Sequence, residues 1–338
     1  MLWAKAIAPV GPFKPANVAT KWSPRRRKIV EDAYGQWLAW LDLKGWLDPH
    51  MSPAERVCVE RIEKYVHYMQ QRLAPVSVGM MLGALYRMLV ALSPEADLIW
   101  LRDICQHFKS IAVPVRDKRS ALVPSKDLFN LGLSLMESAE TLDRCDYFRA
   151  LRFRDGLVLA LWAAVPLRIR NFSTLTLGKQ LIYDKGSYSV VLDANETKTG
   201  QCYTASLAQD FLPYFDRYFR HHRQVLLKQR KGGIQPTMAV WISRFGTPMQ
   251  EADLRTNVKN RTKEAFGTAM WPHLIRDCAA TSIAIEDPEH VRMIAGLLGQ
   301  SSFATAEKYY NQATTLEAAA MLQKGLGEYF KALKRHQP

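Results

Sequence analysis

Residues 180–207 read QLIYDKGSYSVVLDANETKTGQCYTASL. Three short runs of β-branched and aromatic residues, 180–183, 187–193 and 201–207, alternate with turn formers. The first turn is Asp184-Lys185-Gly186, and the second is 194–200 (ANETKTG). Such runs joined by Gly-containing turns predict an antiparallel meander of three strands. It is the one convincing β signal in 338 residues, so the fold class turns on what surrounds it.

Upstream the pattern is helical. Ser23-Pro24 is a cap followed by a first-turn proline, and the helix it starts runs to about Leu43 and stops near Gly45. A second helix is expected from Ser52-Pro53, with Ile62, Tyr65, Val66, Met69 and Leu73 on one stripe and Pro75 as its end. Residues 76–92 and 96–111 make two more. Residues 1–23, which hold Pro9, Pro12 and Pro15, read as an irregular lead-in. Residues 24–112 are therefore a helical domain. Residues 113–126 are polar and basic with two prolines and read as a linker.

A second domain spans 127–338. Helices near 128–140 and 146–165 precede the meander, and helical pattern resumes from 208, broken at Lys231-Gly232-Gly233 and Gly246-Thr247-Pro248. The last helix, about 314–334, aligns Leu322, Leu326, Tyr329, Phe330 and Leu333. The expected class is mainly α with a small antiparallel sheet (α+β).

Composition narrows the function. With 48% hydrophobic and 23% charged residues the chain can bury a core, which excludes wholesale disorder. Its formal net charge is +14, whose commonest use is to neutralise phosphates. Five scattered cysteines form no CxxC, so neither a disulfide framework nor a zinc site is expected, and a cytoplasmic location follows. The N-terminal run MLWAKAIAPVGPF is a poor signal peptide. The longest unbroken apolar run, 157–167, is about half a bilayer span, and no membrane partner is expected.

Four short segments carry residues suited to phosphodiester chemistry. In 166–175 (PLRIRNFSTL) an apolar helix leads into Arg168, whose guanidinium can fork onto a phosphate. In 273–276 (HLIR) a titratable His273 and a fixed cation, Arg276, stand three apart on one helix. Lys198 sits in the turn between the second and third strands. Residues 297–311 (LLGQSSFATAEKYYN) place a glycine break before Tyr309 and Tyr310. Taken singly, each has a plainer reading: a solvated arginine, a surface His–Arg pair, an exposed turn lysine, an amphipathic tyrosine anchor.

Taken in order, they resemble the catalytic domain of the tyrosine recombinases, the phage-integrase and Xer-like site-specific DNA recombinases. The family's motifs read G-L-R-[IV]-x-E/D-L, then H-x-L-R-H, then L-G-H-x-x-x-x-T-x-x-Y, with a hairpin lysine between the first two. The likeness covers roughly 126–325, and 24–112 resembles the family's core-binding domain in size and place. Asn171 stands where an acidic residue is usual, Asp277 where a second histidine is common, and Gln300 where a histidine or tryptophan is. Pro166 replaces the glycine region before Arg168.

The resemblance implies strand cleavage without metal, ATP or other cofactor. Tyr309 would be the nucleophile, forming a 3′-phosphotyrosyl link, with Tyr310 in reserve. Arg168 and Arg276 would hold the non-bridging oxygens, Lys198 protonate the leaving 5′-oxygen, His273 help deprotonate the tyrosine or position the phosphate, and Gln300 donate a hydrogen bond. The implied partners are double-stranded DNA bearing recombination sites, clamped by the two domains, and a homotetramer on DNA joined through 314–334. The run Arg25, Arg26, Arg27, Lys28 suits phosphate contact, though such runs are more often solvated. The alternatives are a type IB topoisomerase-like nicking and religating enzyme, or a DNA-binding relative without catalysis.

Overall fold

The lead-in is not irregular throughout. In this computed structural model, which describes residues 2–11, 13, 15–113, 121–286 and 293–298, a short helix α1 (Leu2–Ile7) and a 3-10 turn (Val18–Lys21) flank the prolines. Proline bars helix only around its own position, so the residues before Pro9 are free to coil. Trp3 fixes them: its indole N–H donates to Glu31, and its ring lies 6.3 Å from that of Trp22. Asn17 caps the 3-10 turn by accepting the Ala19 amide at 3.0 Å.

Helix α2 (Pro24–Leu43) starts where the sequence puts it, with Ser23 Oγ accepting the Arg26 amide at 3.3 Å. It stops before Gly45, whose φ of 69° suits glycine. Ser52-Pro53, by contrast, begins no long helix. Ser52 and Glu55 close a reciprocal turn, the Ser52 amide donating to Glu55 Oε2 at 2.6 Å, and the chain is extended again at Cys58. Burying Val57 in the core wins over continuing the coil. Helix α3 (Val59–Gln70) then carries the expected stripe of Ile62, Tyr65, Val66 and Met69. Pro75 does not end that helix but opens α4 (Pro75–Leu92) at its first turn, where a missing N–H costs nothing. Helix α5 (Ile99–Ser110) follows.

Helix α4 is the spine of this unit, burying Val78, Leu82, Leu85 and Leu89 among Trp37, Trp40, Leu41, Tyr65 and Leu101. By length and mean hydropathy (1.6 over 18 residues) it is apolar enough to cross a membrane, a test that a buried core helix also passes.

Contacts divide the chain into two compact units, Met1–Asp117 and Lys118–Pro338. In the second, α6 (Ser125–Glu140) starts inside the stretch read as linker. It crosses α7 (Asp146–Ala164) at a glycine pair: a Cβ on Gly132 would lie 2.6 Å from the Ala160 nitrogen, and one on Gly156 2.5 Å from the Gly132 oxygen. Only bare backbones fit there.

Beyond a short helix α8 (Ile169–Ser173) come strands β1 (Leu181–Asp184), β2 (Ser187–Leu192) and β3 (Tyr203–Ser206), an antiparallel sheet in the order β1-β2-β3. The β1–β2 turn holds both Lys185 (φ 47°) and Gly186 (φ 81°) in the left-handed region, which matches hairpin twist. Leu181 pairs with Val190, and Leu192 with Tyr203. Helical segments α9 (Leu212–Arg217) and α10 (Arg223–Leu227), joined by a π turn at Tyr218–His222, and then α11 (Glu251–Phe266), α12 (Pro272–Glu286) and α13 (Met293–Leu297) complete the described chain. The expected helix at 314–334 lies outside the described residues.

Candidate active site

The loop that presents Arg168 is held from behind by aromatic rings. Trp162, at the end of α7, donates its indole N–H to the Leu167 carbonyl at 2.8 Å. Phe172 on α8 is stacked between Trp162 (4.4 Å, 7° between planes) and Trp241 (5.2 Å, 13°). Trp241 donates in turn to the Phe172 carbonyl at 2.9 Å. Both indoles and the phenyl ring are fully buried. Arg168 thus leaves a clamped backbone and is itself half-buried. Burial lowers its guanidinium pKa from the ordinary value, yet a guanidinium keeps its charge at any working pH.

Arg276 reaches the same place from α12. It is 6% exposed, and it donates to the carbonyls of Pro166 and, at 2.6 Å, Leu298. One guanidinium therefore ties α12 to the loop before Arg168 and to the residues just after α13. Helix α13 is seated on α12 by a small cluster of Ala280, Ala284, Ile294 and Leu298.

Arg168 and Arg276 line one open cleft of about 100 Å³, together with Leu167, Asn171 from α8, and Gly296, Leu297 and Leu298 at the end of α13. Its remaining wall is the β2–β3 hairpin: Leu192, Thr197, Thr199, Gln201, Cys202 and Tyr203. Lys198 is exposed, between two hairpin residues that line the cleft. Glu196 and Asp193 brace that hairpin through a capping box, and Gln180 donates to Glu196 at 2.6 Å. These bonds hold the Glu196 carboxyl below its usual pKa, the Asp193 backbone amide first and Gln180 next. Two fixed cations in a half-buried cleft, with amide and hydroxyl groups around them, make a receptor for a tetrahedral anion.

His273 stands apart from this pair. It shares α12 with Arg276, but its side chain is 70% exposed and does not line the cleft. Its Nδ1 lies 3.7 Å from Asp277 Oδ1, so the residue that departs from the family pattern is the one paired with the histidine. Gln300 and Tyr309 lie outside the described residues.

In the first unit, Arg25 and Arg26 are exposed, but the basic run is not uniformly free. Arg27 donates to the Thr20 carbonyl at 3.1 Å, and Lys28 pairs with Asp32 at 2.9 Å.

A larger opening in the second unit is lined by Arg154, Asp155, Asn257 and Arg261. There Asp155 already accepts from Arg154 (2.6 Å), Arg261 (3.0 Å) and Asn257 (3.0 Å), a network that fastens α11 to α7. No cluster of metal-ligating side chains occurs among the described residues.

Two parts of this site are not marked by any local motif in the sequence. One is the Trp162–Phe172–Trp241 stack, whose members lie far apart in the chain. The other is Tyr203, for which the alternating burial of β3 is a usable signal, since Tyr203 and Ala205 face inward.

No family model matches the chain, and no curated protein matches it in sequence. Solved structures match it in fold. The pre-cleavage complex of XerH site-specific recombinase with its difH substrate gives a TM-score of 0.55 at 14% identity, covering 88% of this chain and 79% of that one. The post-cleavage complex of XerH on palindromic difH gives 0.57 at 13% identity, with the same coverage. A lambda integrase dimer bound to a COC′ core site gives 0.52 at 12% identity, covering 87% and 90%.

Proposed function

Because the chain has the α+β fold of the tyrosine recombinases, we propose that it is a site-specific DNA recombinase that cuts and rejoins strands through a phosphotyrosyl intermediate. The observation that carries this reading is the meeting of Arg168 and Arg276 in one cleft walled by the hairpin of Lys198. A fold alone hosts many functions. A cleft lined by two arginines and by a hairpin that carries a lysine is a more specific chemistry.

The reaction begins with the Tyr309 phenol oxygen attacking the scissile phosphorus. The P–O5′ bond breaks, leaving a 3′-phosphotyrosyl ester and a 5′-hydroxyl whose proton comes from Lys198. His273, next to Asp277, accepts the phenol proton. Arg168 and Arg276 bind the non-bridging oxygens and stabilise the charge that grows on them, a contribution of about 10²–10³ in rate per donor. Gln300 adds a neutral hydrogen bond. Attack by another strand's 5′-hydroxyl reverses these steps and frees the tyrosine. The ester conserves the bond energy, so no ATP is consumed.

The helical unit and its Arg25–Lys28 run supply further phosphate contacts that fix register without reading sequence. Residues 314–334 join protomers into a tetramer on DNA, and the protein works in the cytoplasm on cellular or mobile-element DNA.

The test is an SDS-resistant protein–DNA adduct formed on a pool of nicked, randomised duplexes. Wild type is expected to form it and Tyr309→Phe to lose it, and the captured duplexes then give the site for a two-site recombination assay. No adduct from wild type overturns the reading in favour of a DNA-binding protein. An adduct with plasmid relaxation but no recombination overturns it in favour of a topoisomerase-like enzyme.

A further inference from the structure

One residue of the cleft wall, Tyr203, carries a polar group that the reaction described above does not use. Tyr203 is the first residue of β3, rooted in the sheet by its pairing with Leu192, and both side chains line the cleft with Arg168 and Arg276. Its hydroxyl is shielded from solvent and has no hydrogen-bond partner. Leaving a buried hydroxyl unsatisfied is costly, and such groups in native proteins call for a reason. Three other buried aromatic side chains of this unit do find partners: Trp162 donates to Leu167, Trp241 to Phe172, and Tyr218 to Val240. Among the described residues of this unit the Ser125 and Thr281 hydroxyls and His222 Nδ1 are also buried without a partner, and of these four residues Tyr203 is the one that lines the cleft.

Burial pushes the Tyr203 phenol up to about 12, against a pull in the other direction from Arg276. It stays protonated at any working pH, so it is a poor nucleophile and a constant hydrogen-bond donor. What it lacks is an acceptor, and what two neighbouring guanidiniums attract is an oxyanion.

We propose that the Tyr203 hydroxyl is a third donor to the phosphate oxygen bound between Arg168 and Arg276. This inference rests on the strand-transfer reading for the identity of that phosphate, but the anion site is testable without DNA. The donor is neutral and mounted on a sheet, so it adds a directed hydrogen bond to a pocket whose other two donors are cations. It comes from a different element than either arginine, so a phosphate held by all three is fixed more closely for in-line attack.

The experiment titrates orthovanadate into the full chain by calorimetry, comparing wild type with Tyr203→Phe and Arg168→Gln. Wild type is expected to bind, Arg168→Gln to lose that binding, and Tyr203→Phe to weaken it by roughly 10–100-fold, the effect of one hydrogen bond to a charged acceptor. Thermal stability of Tyr203→Phe is expected to be equal to wild type or higher, because the change removes an unsatisfied buried group. A hydroxyl with a merely structural role would give the reverse pattern. Equal vanadate affinity of wild type and Tyr203→Phe overturns the inference, as does wild-type binding that Arg168→Gln leaves intact, or no binding at all. A Tyr203-dependent oxyanion site in a protein that forms no covalent DNA adduct supports the third donor and overturns the strand-transfer reading instead.

Discussion

Replacing Trp162 with phenylalanine removes one hydrogen-bond donor and one ring edge from behind Arg168. The indole is fully buried, donates to the Leu167 carbonyl at 2.8 Å, and stacks on Phe172 at 4.4 Å. Phenylalanine keeps a stacked ring but leaves a void of about 40 Å³, worth about 1 kcal/mol at the usual cavity coefficient. The Leu167 carbonyl, 4% exposed as a residue, loses this donor, which costs a further 1–3 kcal/mol or so. The sum, about 2–4 kcal/mol, corresponds to a fall in Tm of about 5–15 °C for a unit of this size. Circular dichroism melting of the full chain reads the stability. The same variant should cleave DNA more slowly at temperatures where it is still folded, because the residue before Arg168 has lost its anchor. A melting point within 1 °C of wild type, with unchanged cleavage, would refute the claim that this clamp positions the arginine.

Two further expectations follow from the same geometry. Burial lowers the pKa of His222 below its ordinary 6.5, with Glu140 opposing, and the ring stacks on Phe153 at 4.1 Å. The folded state therefore binds fewer protons than the unfolded one, so the stability from His222 is complete above about pH 6.5 and declines as pH falls below it. Melting between pH 7.5 and 5.5 should show this decline, and His222→Phe should flatten it; an equal pH slope in the variant argues against the assignment. Lys198→Ala should slow cleavage by about 10²–10⁴ on an ordinary substrate. A 5′-bridging sulfur at the cleaved position, which leaves without a proton, should restore the rate, and a persistent defect there would remove Lys198 from the leaving-group role.

Much of the architecture was legible in the sequence because local rules sufficed. Ser23-Pro24, the Asp184-Lys185-Gly186 turn and the stripe from Ile62 to Met69 are each read from neighbours in the chain. The misreadings have a common cause. Ser52-Pro53 and Pro75 both look like punctuation, and whether such a residue opens or closes a helix depends on which nearby apolar side chain the core takes, here Val57. The lead-in holds a helix and a 3-10 turn because its three prolines constrain only their own surroundings.

In the site, motif order singles out Arg168, Lys198 and Arg276 from the sequence alone, and the structure brings Arg168 and Arg276 to one cleft. What it could not convey is tertiary. The meeting of Trp162, Phe172 and Trp241, the seating of Arg276 on two backbone carbonyls, and the pairing of His273 with Asp277 rather than with the cleft all depend on packing.

The central claim is that Arg168 and Arg276 share one phosphate, and charge removal at that phosphate tests it most directly. A duplex with a neutral methylphosphonate at the mapped cleavage position no longer needs two cations. If the account is right, Arg168→Ala and Arg276→Ala each fall by about 10²–10³ on the natural substrate and recover most of that loss on the methylphosphonate. An equal defect of both variants on the charged and the neutral substrate would contradict it.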